Sequence, residues 1–325
     1  MANLLNKNLI QAVEAHLPAN TNTATVLSDI LSIGKEAVYR RLRGDVCFTF
    51  EEAVKIAQEL NISLDQVINS KKTDRTVFDL SLVEPTNLFN TYEALLDSYV
   101  KHFKKITNHP DSKLMFAYNT LPAALYSAYK ELSRFILFKF QYQTNNSIVP
   151  LNYATFSLPA NILEKQKAIV KYSRLFANTY YILDWSVFLS IIKDIQYFYK
   201  LRVMSAKDMH TVKTDLLKLI DDLENASIRG MYPNGNLFNF YISNIDFESP
   251  YMFIEFGDTV YSHIRLFGLS GMYSFNSFIC EYQKSWIDSL IKYSILISQS
   301  GEIQRAEYFT TQRNSIEELL VPDEE

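Results

Sequence analysis

Two helix-start signals of one kind stand close together near the N-terminus, at Thr49-Phe50-Glu51-Glu52 and at Ser63-Leu64-Asp65-Gln66. In each, a hydroxyl residue caps the first turn and an acid or amide three residues on reaches back to the cap's own N–H. Such boxes fix where a helix begins, so this stretch is committed to short helices. Apolar residues at helical spacing extend the pattern in both directions. A first helix has Leu4, Leu5, Leu9, Ile10 and Val13 as its apolar face. A second, about 23–31, has Val26, Leu27, Ile30 and Leu31, and a third, about 35–43, has Val38 and Leu42 one turn apart. The fourth buries Ala53, Ile56, Ala57 and Leu60, and the fifth packs back through Leu64, Val67 and Ile68. Five short helices are therefore expected within residues 5–69.

Between the second and third helices, Ser32-Ile33-Gly34 breaks the pattern, and Gly44 marks a stop after the third. That third helix concentrates Lys35, Arg40, Arg41 and Arg43 against the single acid Glu36, in a chain whose formal net charge is -4. The chain as a whole is therefore no general polyanion binder, and any nucleic-acid contact must come from a local patch. A lone basic helix is more often a solvated face. This one follows a helix and a tight turn, with its apolar residues on the opposite side, as a groove-reading helix requires.

The run from Ala24 to Ile68 resembles the Xre, or lambda-repressor-like, family of bacterial regulators. LSIGKEAVYRRLRG is similar to its turn and recognition helix, and TFEEAVKIAQELNISLDQVI to its fourth and fifth helices. The Val-Tyr-Arg-Arg-Leu-Arg-Gly variant is also similar to the BetR-type subgroup. The resemblance implies double-stranded DNA as partner, bound in the major groove. Lys35, Glu36, Tyr39 and Arg40 would reach base edges, while Arg43 and Thr25 would hold phosphates. Two positions depart from the family pattern. Arg41 stands where an apolar residue is usual, and Ser32 where glycine is frequent.

Beyond this segment the composition changes. Tyr39, Phe48 and Phe50 are the only aromatic residues before position 71, in a chain that holds 21 Tyr and 22 Phe, so the later region fills its core, or lines a pocket, with rings. A boundary is expected in the polar run Ser70 to Arg75, with domains at 1–70 and 85–325 and a linker over 71–84. No glycine occurs between Gly44 and Gly230, and helical patterns fill the interval at about 86–107, 112–141, 159–175, 185–200 and 206–228. Five of the eight glycines then fall within 230–271, where alternation replaces helical spacing. Tyr251–Phe256 and Thr259–Ile264, joined by Gly257-Asp258, read as a hairpin. Two closing helices follow, about 274–297 and 301–319. The expected fold is mainly α with a small antiparallel β element: a five-helix lambda-repressor-like domain, then a larger α+β domain that is helical over 85–229, β over 230–273 and helical again over 274–319.

Catalytic signatures are missing from this region. His16, His102, His109, His210 and His263 form no metal-ligand spacing, and no phosphate-cradling loop or nucleophile elbow occurs. Asp221-Asp222 reads as a solvated helix face. Tyr180, Tyr181, Trp185, Phe240, Tyr241, Phe253 and Tyr261 read first as core and second as the lining of a pocket. His263 and Arg265 read first as surface strand residues and second as anchors for an anion. Cys47 and Cys280 lie far apart, which suits a reducing cytoplasm, and neither a secretory leader nor a membrane span is visible. The expectation is a cytoplasmic, homodimeric transcription regulator, with no cofactor and no catalytic activity, whose large domain dimerises or senses a small-molecule effector. The alternative is a DNA-tethered adaptor whose large domain binds another protein.

Overall fold

The structure, a computed structural model, describes residues 2–17, 21–60, 62–64, 67, 76–106, 109–144 and 151–322. The chain divides into two compact units, Met1–Phe78 and Asp79–Glu325. Among the described residues, no helix is long and apolar enough to cross a membrane.

The first unit contains α1 (Ala2–His16), α2 (Thr23–Leu31), α3 (Lys35–Leu42) and α4 (Phe50–Leu60). Their shared core is Leu9, Val13, Ala24, Leu27, Leu31, Val38, Ile56 and Ala57, to which Ile62 and Val67 add. The capping box at α4 forms as its residues dictate. Thr49 N–H donates to Glu52 Oε2 (2.9 Å), and Glu52 N–H donates to Thr49 Oγ1 (3.2 Å). Asp65 and Gln66 of the second box lie outside the described residues. The expected apolar face of α1 is corrected. Leu4 and Leu5 are exposed, and a polar residue, Asn6, is buried instead. Its amide satisfies two backbone groups: Nδ2 donates to the Arg41 carbonyl (3.2 Å), and Oδ1 accepts from Phe48 N–H (2.9 Å). A paired polar group can sit inside, where an unpaired one would cost more than a lost contact.

The second unit is built on one eight-stranded mixed sheet, so the small antiparallel element expected from sequence is overturned. Its strands are β1 (Asp79–Ser81), β2 (Lys113–Tyr118), β3 (Asn178–Asp184), β4 (Leu237–Ser243), β5 (Tyr251–Phe256), β6 (Thr259–Phe267), β7 (Ser270–Ser274) and β8 (Ser294–Leu296), in the order β1-β7-β6-β5-β2-β3-β4-β8. The pairs β2/β3 and β3/β4 are parallel and the others antiparallel. Helical crossovers join the parallel strands, as parallel pairing demands. Between β1 and β2 runs α5 (Leu88–Ile106). Between β2 and β3 run α6 (Ala123–Tyr126), α7 (Lys130–Thr144) and α8 (Ala160–Ser173). Between β3 and β4 run α9 (Val187–Lys200) and α10 (Ala206–Arg229). Then α11 (Ser277–Lys292) precedes β8, and α12 (Glu302–Leu319) follows it.

Alternation along the strands sorts two cores. Leu114, Phe116, Tyr181, Leu183, Phe238, Phe240, Met252 and Ile254 face the large helical layer. Met115, Ala117, Ile182 and Phe253 face α11, where Cys280, Ile287 and Leu290 meet them. The central strands are thus covered on both sides. Leu114 to Tyr118 are all buried, and a continuous apolar run of that kind has no period of two to read. That is why 112–141 reads as one helix in sequence, when its first part is a central strand.

Three other boundaries move. The segment expected to be linker contains β1, which pairs with β7 through Asp79↔Tyr273 and Ser81↔Gly271. The segment 239–242 joins the sheet beside β3, in parallel, and not as part of a small hairpin region. The expected helix at 274–297 is α11 flanked by the end of β7 and by β8. The hairpin about Gly257-Asp258 forms in the expected register, Phe256 opposite Thr259. Tyr181, Phe240, Phe253 and Tyr261 are buried core rings, Tyr180 and Tyr241 are half-buried, and Trp185 is exposed. His263 is not a surface strand residue. It is 4% exposed, and Arg265 is half-buried.

Candidate nucleic-acid interface

The geometry of the first unit sets one helix apart. α2 begins at Asn22, whose Oδ1 accepts from Thr25 N–H (3.1 Å). It ends at Ser32, which takes the left-handed conformation at φ 54°. Ser28 locks the turn, because its Oγ donates to the Ile33 carbonyl (2.6 Å) and its own carbonyl accepts from Ile33 N–H (3.3 Å). Gly34 then opens α3. Three residues separate the two helices, and α3 is held against α2 through Val38, which is fully buried.

With Val38 inward, the helical period turns Glu36, Tyr39 and Arg40 outward. Lys35 at the first position of the helix and Arg43 just past its end are exposed as well. Tyr39 is an exposed ring on an otherwise charged face. Thr25, half-buried in the first turn of α2, lies beside its capping Asn22. Asn22 was not singled out in the sequence, although an Asn directly before the first helical residue is a regular capping signal.

The three basic residues of α3 and Arg43, directly after it, are not equivalent. Arg41 turns back toward α4 and meets Glu52 with both prongs, Nε–Oε2 at 3.0 Å and Nη2–Oε1 at 2.7 Å. It also donates from Nη1 to the Ala37 carbonyl (3.1 Å). The departure from the family's apolar residue is thereby explained: an ion pair fills the space between α3 and α4. Burial alone would raise the Glu52 carboxyl, but hydrogen bonds from Arg41 and Thr49, with the Arg41 charge, hold it below the usual carboxylate range. Arg43 is engaged by Asp45 (3.1 Å) and approached by Glu36 (3.7 Å). Lys35 and Arg40 have no carboxylate partner among the described residues, and they are the cations of α3 free to meet an anion.

The exposed face therefore offers two unpaired cations, one acid acceptor, one ring and one arginine held loosely in a surface pair. A guanidinium suits the paired acceptors of guanine, a carboxylate suits the amino group of cytosine, and a lysine suits phosphate. Residues 2–86 match the BetR domain family, a helix-turn-helix-type DNA-binding domain. No curated protein and no solved structure matches the chain.

Proposed function

We propose, from a BetR domain whose third helix presents Lys35, Glu36, Tyr39, Arg40 and Arg43 to solvent, that the chain is a sequence-specific transcription regulator of the Xre, lambda-repressor-like type. One observation carries the proposal: on α3 Val38 is buried, while Lys35 and Arg40 are exposed with no carboxylate partner among the described residues. In this account α3 enters the major groove, with Lys35, Glu36, Tyr39 and Arg40 at base edges and Arg43 and Thr25 at phosphates. The protein is bacterial and cytoplasmic, has no catalytic step and uses no cofactor.

The regulator acts as a homodimer, since a helix-turn-helix monomer reads only one half-site. The second unit supplies a surface suited to that contact. Phe278, Tyr282 and Trp286 recur at helical spacing along the outer side of α11, all exposed, while Cys280, Gln283 and Ile287 face the sheet. Aromatic rings are enriched at protein interfaces, and a twofold contact places the same row on both copies. The same row is what favours the second reading, an adaptor that holds another protein on DNA. The oligomeric state separates the two, because the adaptor leaves the free chain monomeric. The main proposal is tested by selecting duplexes from a random pool with the whole chain. Two enriched half-sites about 10 bp apart, or a multiple of that, are expected, and no enrichment would remove the proposal.

A further inference from the structure

We infer that the second unit binds a small organic carboxylate in the cavity at the carboxyl ends of β2 and β3, with Arg265 as its anchor. Its role as the regulator's effector site rests on the function proposed above; the binding itself does not.

In open sheets with parallel strands, ligands bind in the crevice beyond the carboxyl ends of those strands. Here β2 and β3 run parallel, and a cavity of about 320 Å³ opens there. Asn119 and Thr120 line it after β2, Ser190 and Asp194 from α9, Lys139 from α7, and Arg265 from β6. The volume suits a small molecule. Much of the wall is apolar, with Leu121, Phe135, Phe140, Val187, Ile191 and Leu269 contributing.

The charges decide the class of ligand. Lys139 and Asp194 form an ion pair across the cavity wall and cancel. Arg265 then remains, with no carboxylate partner among the described residues. Its Nη1 donates to Thr120 Oγ1 (3.2 Å), and its guanidinium lies over the Tyr118 ring at 5.2 Å. These contacts hold the planar fork in place, and the remaining N–H groups stay available for a bidentate carboxylate.

Among the described residues, nothing behind Arg265 neutralises it either. A smaller chamber of about 60 Å³ shares Tyr126, Arg265 and Leu269 with the outer cavity and is lined further in by Tyr92, Tyr99 and His263. The phenols are held neutral by burial, and burial with the nearby Arg265 charge holds His263 neutral too. His263 Nε2 meets the Tyr99 hydroxyl (2.8 Å), and Nδ1 is buried without a hydrogen-bond partner among the described residues. A half-buried cation thus has a neutral wall on one side and the cavity on the other. One positive charge matches a monocarboxylate. A phosphate dianion would want further cations or a glycine-rich cradle, and the β2 and β3 ends carry no glycine. Gly268, at φ 53°, seats the β6–β7 turn against Phe140, where an added Cβ would lie 2.5 Å from the ring.

Calorimetric titration of the whole chain without DNA tests the inference, with phenylacetate, octanoate and indole-3-acetate as probes. At least one carboxylate should saturate a single site. Its neutral amide should bind at least 10-fold more weakly to the same wild-type protein, and inorganic phosphate should not compete. Arg265→Met should lose at least 10-fold, and Arg265→Lys should recover part of that. The inference is overturned if no probe binds below 10 mM, if acid and amide bind alike, if phosphate competes, or if Arg265→Met binds undiminished. The amide comparison needs no variant, so it stands even if the Arg265 substitutions fail to fold. A parallel titration of selected duplex keeps the outcomes apart. Lost carboxylate binding removes this site only, and lost duplex binding removes the regulator proposal only.

Discussion

Arg41 and Glu52 close on each other with two hydrogen bonds, at 3.0 and 2.7 Å, and so tie α3 to α4 from the inner side of the basic helix. Both side chains are 17% exposed, and the pair is well shielded from water. Removing one partner strands the other charge. Arg41→Ala should therefore destabilise the first unit by about 1–3 kcal/mol. Because the folded Glu52 carboxyl is held down, its contribution is present above its unfolded value and is lost as pH falls through the folded one. Below the melting transition, duplex affinity should change little, since Arg41 points away from the exposed face. Unchanged thermal stability combined with lost DNA affinity would place Arg41 at the interface instead.

Ser32 bears a strain that its position in the turn imposes. At φ 54° its Cβ crowds the backbone in a way that glycine avoids. Its side chain makes no hydrogen bond among the described residues, and Ser28 holds the turn. Ser32→Gly should stabilise the first unit by about 0.5–1 kcal/mol, with the unfolded chain's added freedom offsetting part of the gain. Thermal denaturation checks this, and a fall in stability would contradict it.

His263 should make the second unit sensitive to acid. Burial, with the Arg265 charge adding, pushes its imidazole down to about 3, against about 6.5 for a free histidine. Between those values the unfolded chain takes up a proton that the folded one refuses. The stability this neutral histidine contributes is whole above pH 6.5 and is lost as pH falls toward 3. Wild type should lose up to about 1.4 kcal/mol more per pH unit than His263→Gln over that window. Urea unfolding at several pH values measures the difference, and parallel curves would refute the assignment.

The aromatic row on α11 bears on assembly. Tyr282→Glu together with Trp286→Glu introduces charge at two exposed rings and disturbs no buried side chain. Light scattering should find the wild type dimeric and this variant monomeric, with similar thermal stability of the second unit. A monomeric wild type would favour the adaptor.

Helices α2, α3 and α4 are legible because they are short and one-sided. Thr49 with Glu52 marks a start, and Val38 with Leu27 and Ile56 marks the inward faces. Asn6 escaped notice because a polar residue on a helix reads as solvent-facing unless its partners are known, and those partners lie 35 and 42 residues away. Most of the sheet was hidden for a different reason. β2 is buried on both faces and carries no alternation, and β1 and β8 are three residues each, too short to show any period. The hairpin of β5 and β6 was visible through Gly257-Asp258, yet the burial of His263 was not, because it depends on α5 bringing Tyr99 across the strand. The exposure of Glu36, Tyr39 and Arg40 follows from spacing, whereas that of Lys35 reflects its place at the helix start, and the separation of Arg41 from Arg40 needs the position of Glu52.

The measurement that bears most directly on the central claim is the affinity of wild type and Arg40→Ala for a selected duplex and for each single-base change within it. Arg40 is an exposed cation of α3 with no carboxylate partner among the described residues. If it reads a base, the substitution should cost about 1–3 kcal/mol on the preferred duplex and flatten the preference at one position while leaving the others intact. An equal loss on every duplex, or no loss at all, would contradict base reading by this helix.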